Sequence, residues 1–144
     1  MMATENIGTE LFAAKLPDPE SIKAIMETVC SSEYNKSEFA KLFEQNKKMD
    51  IAVGIGLYIV GDYSQAVERL KKAPASMEQK LYLGYSYRQL LQFDDAMAAY
   101  DQAAKKGADP LLISLAKADA YTKAGDCDKA QAELKNCGNF EKFQ

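Results

Sequence analysis

The chain of 144 residues contains no histidine and no tryptophan, and it holds only four prolines and three cysteines. Without histidine, it has no Ser-His-Asp or Cys-His catalytic arrangement and no imidazole ligand for a metal. Three cysteines without a regular spacing do not form the framework of a disulfide-rich secreted domain, and they are typical of a reducing compartment. The sequence therefore excludes several enzyme classes and predicts a cytoplasmic protein.

Neither the charge nor the hydropathy of the chain favours a nucleic acid or a membrane as a partner. The net charge is −3, whereas the neutralisation of phosphates requires a surplus of basic residues. The most apolar stretch, residues 51–60, is interrupted by two glycines and is far shorter than the roughly 20 residues that span a bilayer. The first six residues also lack the cationic and apolar segments of a signal peptide. We therefore expect no nucleic-acid partner and no membrane partner.

Small side chains recur at fixed intervals along the chain. Gly84 and Ala118 are 34 residues apart, as are Ala96 and Ala130, and Gly54 precedes Gly84 by 30. Two helices that cross closely need glycine, alanine or a similarly small residue at the crossing. The intervals therefore predict three successive pairs of antiparallel helices.

The residues around these small positions also recur. The middle copy reads Leu83-Gly84-Tyr85-Ser86-Tyr87, followed by Ala96, Tyr100 and Ala103. This order resembles the signature of the tetratricopeptide repeat, a helix–turn–helix unit of about 34 residues. The last copy keeps Tyr121, Gly125, Ala130 and Leu134, and the shorter first copy keeps Gly54, Gly61-Asp62-Tyr63 and Ala66.

The resemblance implies an all-α fold, namely a right-handed superhelical array of antiparallel helix pairs. We expect three repeats at about residues 47–76, 77–110 and 111–138, with a tail at 139–144. Residues 1–46 do not match the repeat, and they are expected to form an N-terminal helical extension that caps the array. The alternative for this segment is a fourth, diverged repeat.

Capping residues mark several of the predicted helix ends. Side chains that accept hydrogen bonds from free backbone N–H groups begin helices, and glycine in the left-handed region often ends them. We expect helices to begin at Asp18-Pro19, near Asn35, at Ser76 and at Asp109-Pro110, and to end before Gly107 and Gly138.

No set of residues predicts an enzyme. Gly54-Ile55-Gly56 resembles the start of a dinucleotide fingerprint, but the third glycine is missing, and a role in helix crossing is favoured. Asp94-Asp95 lies at a predicted helix start, where carboxylates favour the helix dipole. Asp126-Cys127-Asp128 has no further thiol or imidazole nearby, so an N-cap turn with a partly buried cysteine is favoured over a metal site. We therefore expect no catalytic, cofactor-binding or metal-binding residues.

The resemblance also implies where a ligand would bind, because the first helix of each tetratricopeptide repeat lines a concave groove. The candidate ligand contacts are the side chains of these helices that are not needed for packing within a repeat. They are Ile51, Ala52, Ile55, Tyr58 and Ile59 in the first repeat, Leu81, Tyr82, Tyr85, Arg88 and Gln89 in the second, and Leu115, Ala116, Asp119, Thr122 and Lys123 in the third. We call this set the predicted groove.

The character of the predicted groove distinguishes between kinds of ligand. Family members that hold a C-terminal carboxylate use lysine, asparagine and arginine side chains there, whereas the matching positions here are apolar or aromatic. These positions are Ile51, Ile55, Tyr82, Leu112 and Ala116. An apolar, tyrosine-rich groove instead suits an amphipathic helix or an extended peptide with large apolar anchors.

The N-terminal helices provide an alternative occupant of the predicted groove. They could fold into its first part and bury Ile51, Ile55 and Ile59 themselves. Alanine at both Tyr82 and Tyr85 distinguishes the two cases. Loss of partner binding with little change in stability is expected for an open groove, and unfolding is expected for an occupied one.

The leading functional hypothesis is a non-enzymatic, cytoplasmic interaction module that binds a peptide or an amphipathic helix. In size and layout the chain is also similar to the chaperones of type III secretion translocators, which hold an extended client segment in this groove. A third hypothesis is a scaffold that self-assembles through exposed repeat edges. Few residues follow the last repeat, and Phe140 and Phe143 are among them, so we expect a homo-oligomer through the C-terminal repeat.

Overall fold

The protein is built from helices joined by short turns. A computed structural model describes residues 7–135, and within this range no residue lies in a β-strand. In this described part, a short 3₁₀ segment, Thr9–Phe12, precedes eight α-helices. In chain order these are α1 (Pro19–Val29), α2 (Glu33–Gln45), α3 (Asp50–Val60), α4 (Tyr63–Lys72), α5 (Met77–Gln89), α6 (Phe93–Lys105), α7 (Pro110–Lys123) and α8 (Cys127–Lys135). The prediction of an all-α fold is confirmed.

Polar caps begin the helices close to the predicted positions. The side chains of Asp18, Ser76 and Asp109 accept backbone N–H groups of the first turns of α1, α5 and α7, at 2.7, 3.1 and 2.9 Å. Helix α2 begins slightly before the predicted Asn35, because Ser32 is its cap and accepts the Asn35 N–H at 3.0 Å. Three residues given structural roles from sequence, Gly138, Phe140 and Phe143, lie outside the described residues.

The chain divides into two compact units, Met1–Ala73 and Pro74–Gln144. The division falls close to the predicted boundary between the first and second repeats, at residue 76. The first unit contains the predicted N-terminal extension and the two helices of the predicted first repeat, and the second unit contains the helices of the other two predicted repeats. The boundaries of the individual repeats and of the tail at 139–144 stay predictions.

In the first unit, α3 has helices on two sides because two glycines allow a close approach. A Cβ atom added at Gly54 would lie 2.6 Å from the Leu70 side chain of α4, and one added at Gly56 would lie 2.5 Å from the Phe43 ring of α2. The 3₁₀ segment and α1 also pack against α3. Gly54-Ile55-Gly56 therefore has the predicted role in helix packing.

An aromatic cluster links the N-terminal segment of the first unit to α2. The ring of Phe39 meets that of Phe43 edge to face, with centroids 5.3 Å apart. Phe12 of the 3₁₀ segment adds a third ring, 6.1 Å from Phe39 and 6.3 Å from Phe43. Phe39 is fully buried, so this cluster is a main part of the core beside α3.

In the second unit, α5 pairs with α6, α6 packs on α7, and α7 pairs with α8. Gly84 lies directly against the buried ring of Tyr100, and a Cβ atom added there would be 3.1 Å from the ring carbon Cζ and closer still to its neighbours. The interval between Gly84 and Tyr100 is 16 residues, as it is between Gly54 and Leu70. The same kind of helix crossing therefore occurs in both units. The core around it comprises Leu81, Ala96, Tyr100, Ala103, Ala108, Ile113, Ala116 and Ala120.

The three helix pairs turn in the same way. Each turn contains one residue with positive φ, namely Gly61 at 93°, Leu91 at 64° and Gly125 at 83°. The N–H of the following residue donates to the carbonyl oxygen five residues before it, at 2.9 Å in all three turns. This bond satisfies a carbonyl that the helix end leaves free. Leu91 is the only residue other than glycine with positive φ among residues 7–135.

We expect Leu91→Gly to raise the free energy of unfolding by about 1 kcal/mol, since a left-handed backbone costs an L-residue about that much and costs glycine little. Gly61→Ala is the matched opposite and should lower the free energy by about 1 kcal/mol. A Cβ at Gly61 would meet nothing within 4 Å, so only the backbone is tested. Denaturant titration measures both changes. A destabilised Leu91→Gly variant would contradict the assigned strain.

Candidate functional site

Helices α5 and α7 are joined by an ion pair within the second unit. Nη1 of Arg88 lies 2.8 Å from Oδ2 of Asp119, and the Arg88 guanidinium lies over the Tyr85 ring, 5.4 Å from its centroid. The Arg88 side chain is only 13% exposed, whereas that of Asp119 is 51% exposed. The pair therefore connects the two helices and places a carboxylate at the surface.

The tyrosines of α5 are packing residues. The Tyr82 and Tyr85 rings meet edge to face at 5.3 Å, and Tyr85 lies 6.0 Å from the fully buried ring of Tyr100. Such arrangements stabilise a core beyond the area that they bury. Tyr82 is 9% exposed, so little of it is available to a ligand. The expectation that alanine at Tyr82 and Tyr85 leaves stability nearly unchanged is therefore revised to a loss of stability.

The part of the predicted groove on α3 is covered within the first unit. Ile55 is fully buried and Ile59 is 4% exposed, while Ile51 and Tyr58 are half-buried. The 3₁₀ segment, α1 and α2 pack against α3, and the Cys30 thiol donates to the Ile59 carbonyl oxygen at 3.3 Å. The structure therefore favours the alternative in which N-terminal elements cover this helix. Ile55 and Ile59 are corrected from ligand contacts to core residues.

Helix α7 presents the most exposed part of the predicted groove. Leu115 is 42% exposed, and Leu111, which is not part of the predicted groove, is 40% exposed. Together with Asp119 and Thr122 they occupy positions i, i+4, i+8 and i+11, which lie on one side of a helix. We call these four residues the α7 face. The spacing of the two leucines was the signal in the sequence for Leu111.

The predicted groove as a whole divides by exposure. The exposed members are Leu115, Asp119, Thr122 and Lys123, and the half-buried members are Ile51, Tyr58, Tyr85, Arg88 and Gln89. The buried members are Ala52, Ile55, Ile59, Leu81, Tyr82 and Ala116, whose side chains serve the cores of the two units. The surface offered to a ligand is therefore concentrated on α7 and the adjoining part of α5.

The acidic cluster around Cys127 has a structural role at the start of α8. Asp126 Oδ1 accepts the Lys129 N–H at 3.1 Å, as an N-cap does, but Cys127 is exposed where partial burial was expected. Across residues 7–135, no group of three His, Cys, Asp or Glu side chains is placed to hold a metal ion. In the same part of the chain, every helix is too short or too polar to cross a bilayer.

Comparison with known proteins returns no relative. No protein-family model, no curated protein and no solved structure matches the chain. The resemblance to tetratricopeptide repeats therefore rests on the recurring residues and on the three helix pairs with their matching turns.

Proposed function

We propose that the chain is a non-enzymatic interaction module of the cytoplasm that binds an apolar segment of a protein on the α7 face. The observation that carries the proposal is the exposure of Leu111 and Leu115, one helical turn apart and in line with Asp119. Single exposed apolar side chains are ordinary on protein surfaces, but adjacent ones beside a charged rim are typical of interfaces.

The matching helix pairs support a tetratricopeptide-like array as the framework of this module. Three consecutive pairs share one turn geometry, and the small residues at 54 and 84 contact a larger residue 16 positions later. An array of this kind presents its first helices side by side, and α7 is the first helix of the third pair. The proposed ligand is an amphipathic helix or an extended segment with apolar anchors.

The chemistry of the α7 face defines what such a ligand would offer. The two leucines form the apolar part, and the ion pair between Arg88 and Asp119 borders it. Because Asp119 is half exposed, a basic residue of the ligand could bind its second oxygen while apolar anchors cover the leucines. Anchor side chains at the centre of an interface account for most of the binding energy.

The test is selection of peptides from a displayed random library with the wild-type protein. We expect the selected peptides to bind the Leu115→Ser variant about tenfold or more weakly, because truncated anchors cost more than about 1 kcal/mol. The matched control is Gln102→Ser, an exposed position on α6. Fluorescence anisotropy with the selected peptides gives the affinities. Equal binding to Leu115→Ser and wild type would refute the proposed site.

A further inference from the structure

The turn between α5 and α6 departs from the other two hairpin turns at two successive positions. The corresponding residues are Gly-Asp at 61–62 and at 125–126, whereas the middle turn has Leu91 and Gln92. The aspartates cap the following helices by accepting backbone N–H groups at 3.3 and 3.1 Å. Gln92 makes no side-chain cap for α6, and Leu91 holds a left-handed backbone. Both changes weaken the turn locally.

The leucine gains little packing in return for this strain. Leu91 is 66% exposed, more than any other large hydrophobic residue of the described chain. Backbone strain that persists with little internal packing is a reason to look for a function outside the fold. The exposed side chain of Leu91 therefore suggests a contact with another molecule.

Two acidic side chains follow Leu91 closely in the chain. Asp94 and Asp95 are exposed in the first turn of α6, and neither has an ion-pair partner in the part of the chain that the structure describes. We call these three residues the Leu91 turn. It combines one apolar side chain with two negative charges, so its complement is an apolar surface flanked by positive charges.

The second unit has an apolar surface next to positive charges. Lys105 and Lys106 are exposed at the other end of α6, and within residues 7–135 neither forms an ion pair. A short turn leads from them to Leu111 and Leu115 on α7. We call these four residues the Lys-Leu patch. Since α6 has 13 residues and rises about 1.5 Å per residue, the Leu91 turn and the two lysines lie about 20 Å apart along the helix.

We propose that the Leu91 turn of one copy docks on the Lys-Leu patch of a second copy. The leucines form the apolar contact, and Asp94 and Asp95 face Lys105 and Lys106. This inference deepens the proposed function, on which it rests, by naming a second copy of the chain as a ligand of the α7 face. A single contact of this kind leaves one Leu91 turn and one Lys-Leu patch of the dimer free to bind, either to each other or to further copies.

The proposed contact is small and partly ionic, so its strength should depend on protein concentration and on salt. The contact involves three residues of one copy and four of the other, far fewer than a standard stable interface, so the association is weak and depends on protein concentration. Exposed charges are screened by salt, so the association weakens as ionic strength rises. Sedimentation velocity over a concentration series, at low and at high salt, measures both dependences.

The decisive experiment uses two complementary variants. Leu91→Asn removes the apolar contact and retains a residue that tolerates the left-handed backbone, and Leu115→Ser disables the patch. Each variant alone should associate about tenfold or more weakly than wild type. An equimolar mixture should form a heterodimer and no larger species, because it contains one intact turn and one intact patch. Tyr34→Ser, at an exposed apolar position of the first unit, should associate like wild type.

Each result separates the two proposals. A wild-type protein that stays monomeric at every concentration overturns self-docking, and the peptide selection still tests the α7 face independently. Association that persists in both Leu91→Asn and Leu115→Ser, or a mixture without heterodimer, also overturns self-docking. Unfolding curves of both variants establish that they are folded, which is expected because both leucines are substantially exposed.

Discussion

Gly84→Ala is expected to lower the free energy of unfolding by about 1–3 kcal/mol, although alanine is the better helix former by about 1 kcal/mol. The added methyl group would collide with the ring of Tyr100, which is fully buried and also packs against Tyr85. A ring held in this way cannot move aside without disturbing the core. Denaturant unfolding measures the change. A more stable variant would show that helix propensity outweighs the crossing.

A double-mutant cycle isolates the collision from other effects of the substitution. The predicted third repeat has Ala118 and Leu134 at the same interval of 16 residues, so the chain already combines alanine with leucine at this spacing. In a Tyr100→Leu background, Gly84→Ala should therefore cost less than it does in wild type. Equal costs in the two backgrounds would mean that the residues are not coupled.

Phe39→Ala is expected to destabilise the first unit by about 3–5 kcal/mol, the usual cost of deleting a buried aromatic ring. Phe39 is fully buried and touches the rings of Phe12 and Phe43, so its loss opens a cavity beside α3. Hydrogen exchange at the amides of α2 and α3 reports on this unit separately from the second. Faster exchange there is the expected result.

Tyr34→Ala is the matched control for this prediction. It lies on the same helix and is 58% exposed, so its substitution should change stability by no more than about 0.5 kcal/mol. Similar effects at positions 34 and 39 would contradict the assignment of Phe39 to the core. They would also weaken the conclusion that N-terminal elements cover α3.

The helix caps and the close helix crossings could be predicted from the sequence. The caps at Asp18, Ser76 and Asp109 depend on the residue itself and its next neighbours, and all three make the expected bonds. Gly54 and Gly84 were also assigned correctly to helix crossings, because only the smallest side chain fits where two helices touch. Short-range chemistry and recurring intervals carry this information directly.

The exposure of the candidate site residues was harder to predict from the sequence. Ile55 and Ile59 lie on a helix whose exposure depends on where α1 and α2 pack, and no local pattern in α3 records that contact. Tyr82 was assigned to a surface by its place in the repeat, although its packing depends on neighbouring side chains. Leu91 is a different case, since its alignment with Gly61 and Gly125 is a signal in the sequence that we did not use.

The pairing of neighbouring helices has a consequence for how the protein reaches its structure. In both units a close helix crossing joins residues 16 positions apart, such as Gly84 and Tyr100. Closing a segment of that length costs little chain entropy, and proteins dominated by such contacts fold in microseconds to milliseconds. Each hairpin can therefore assemble from residues that leave the ribosome together, without waiting for a distant part of the chain.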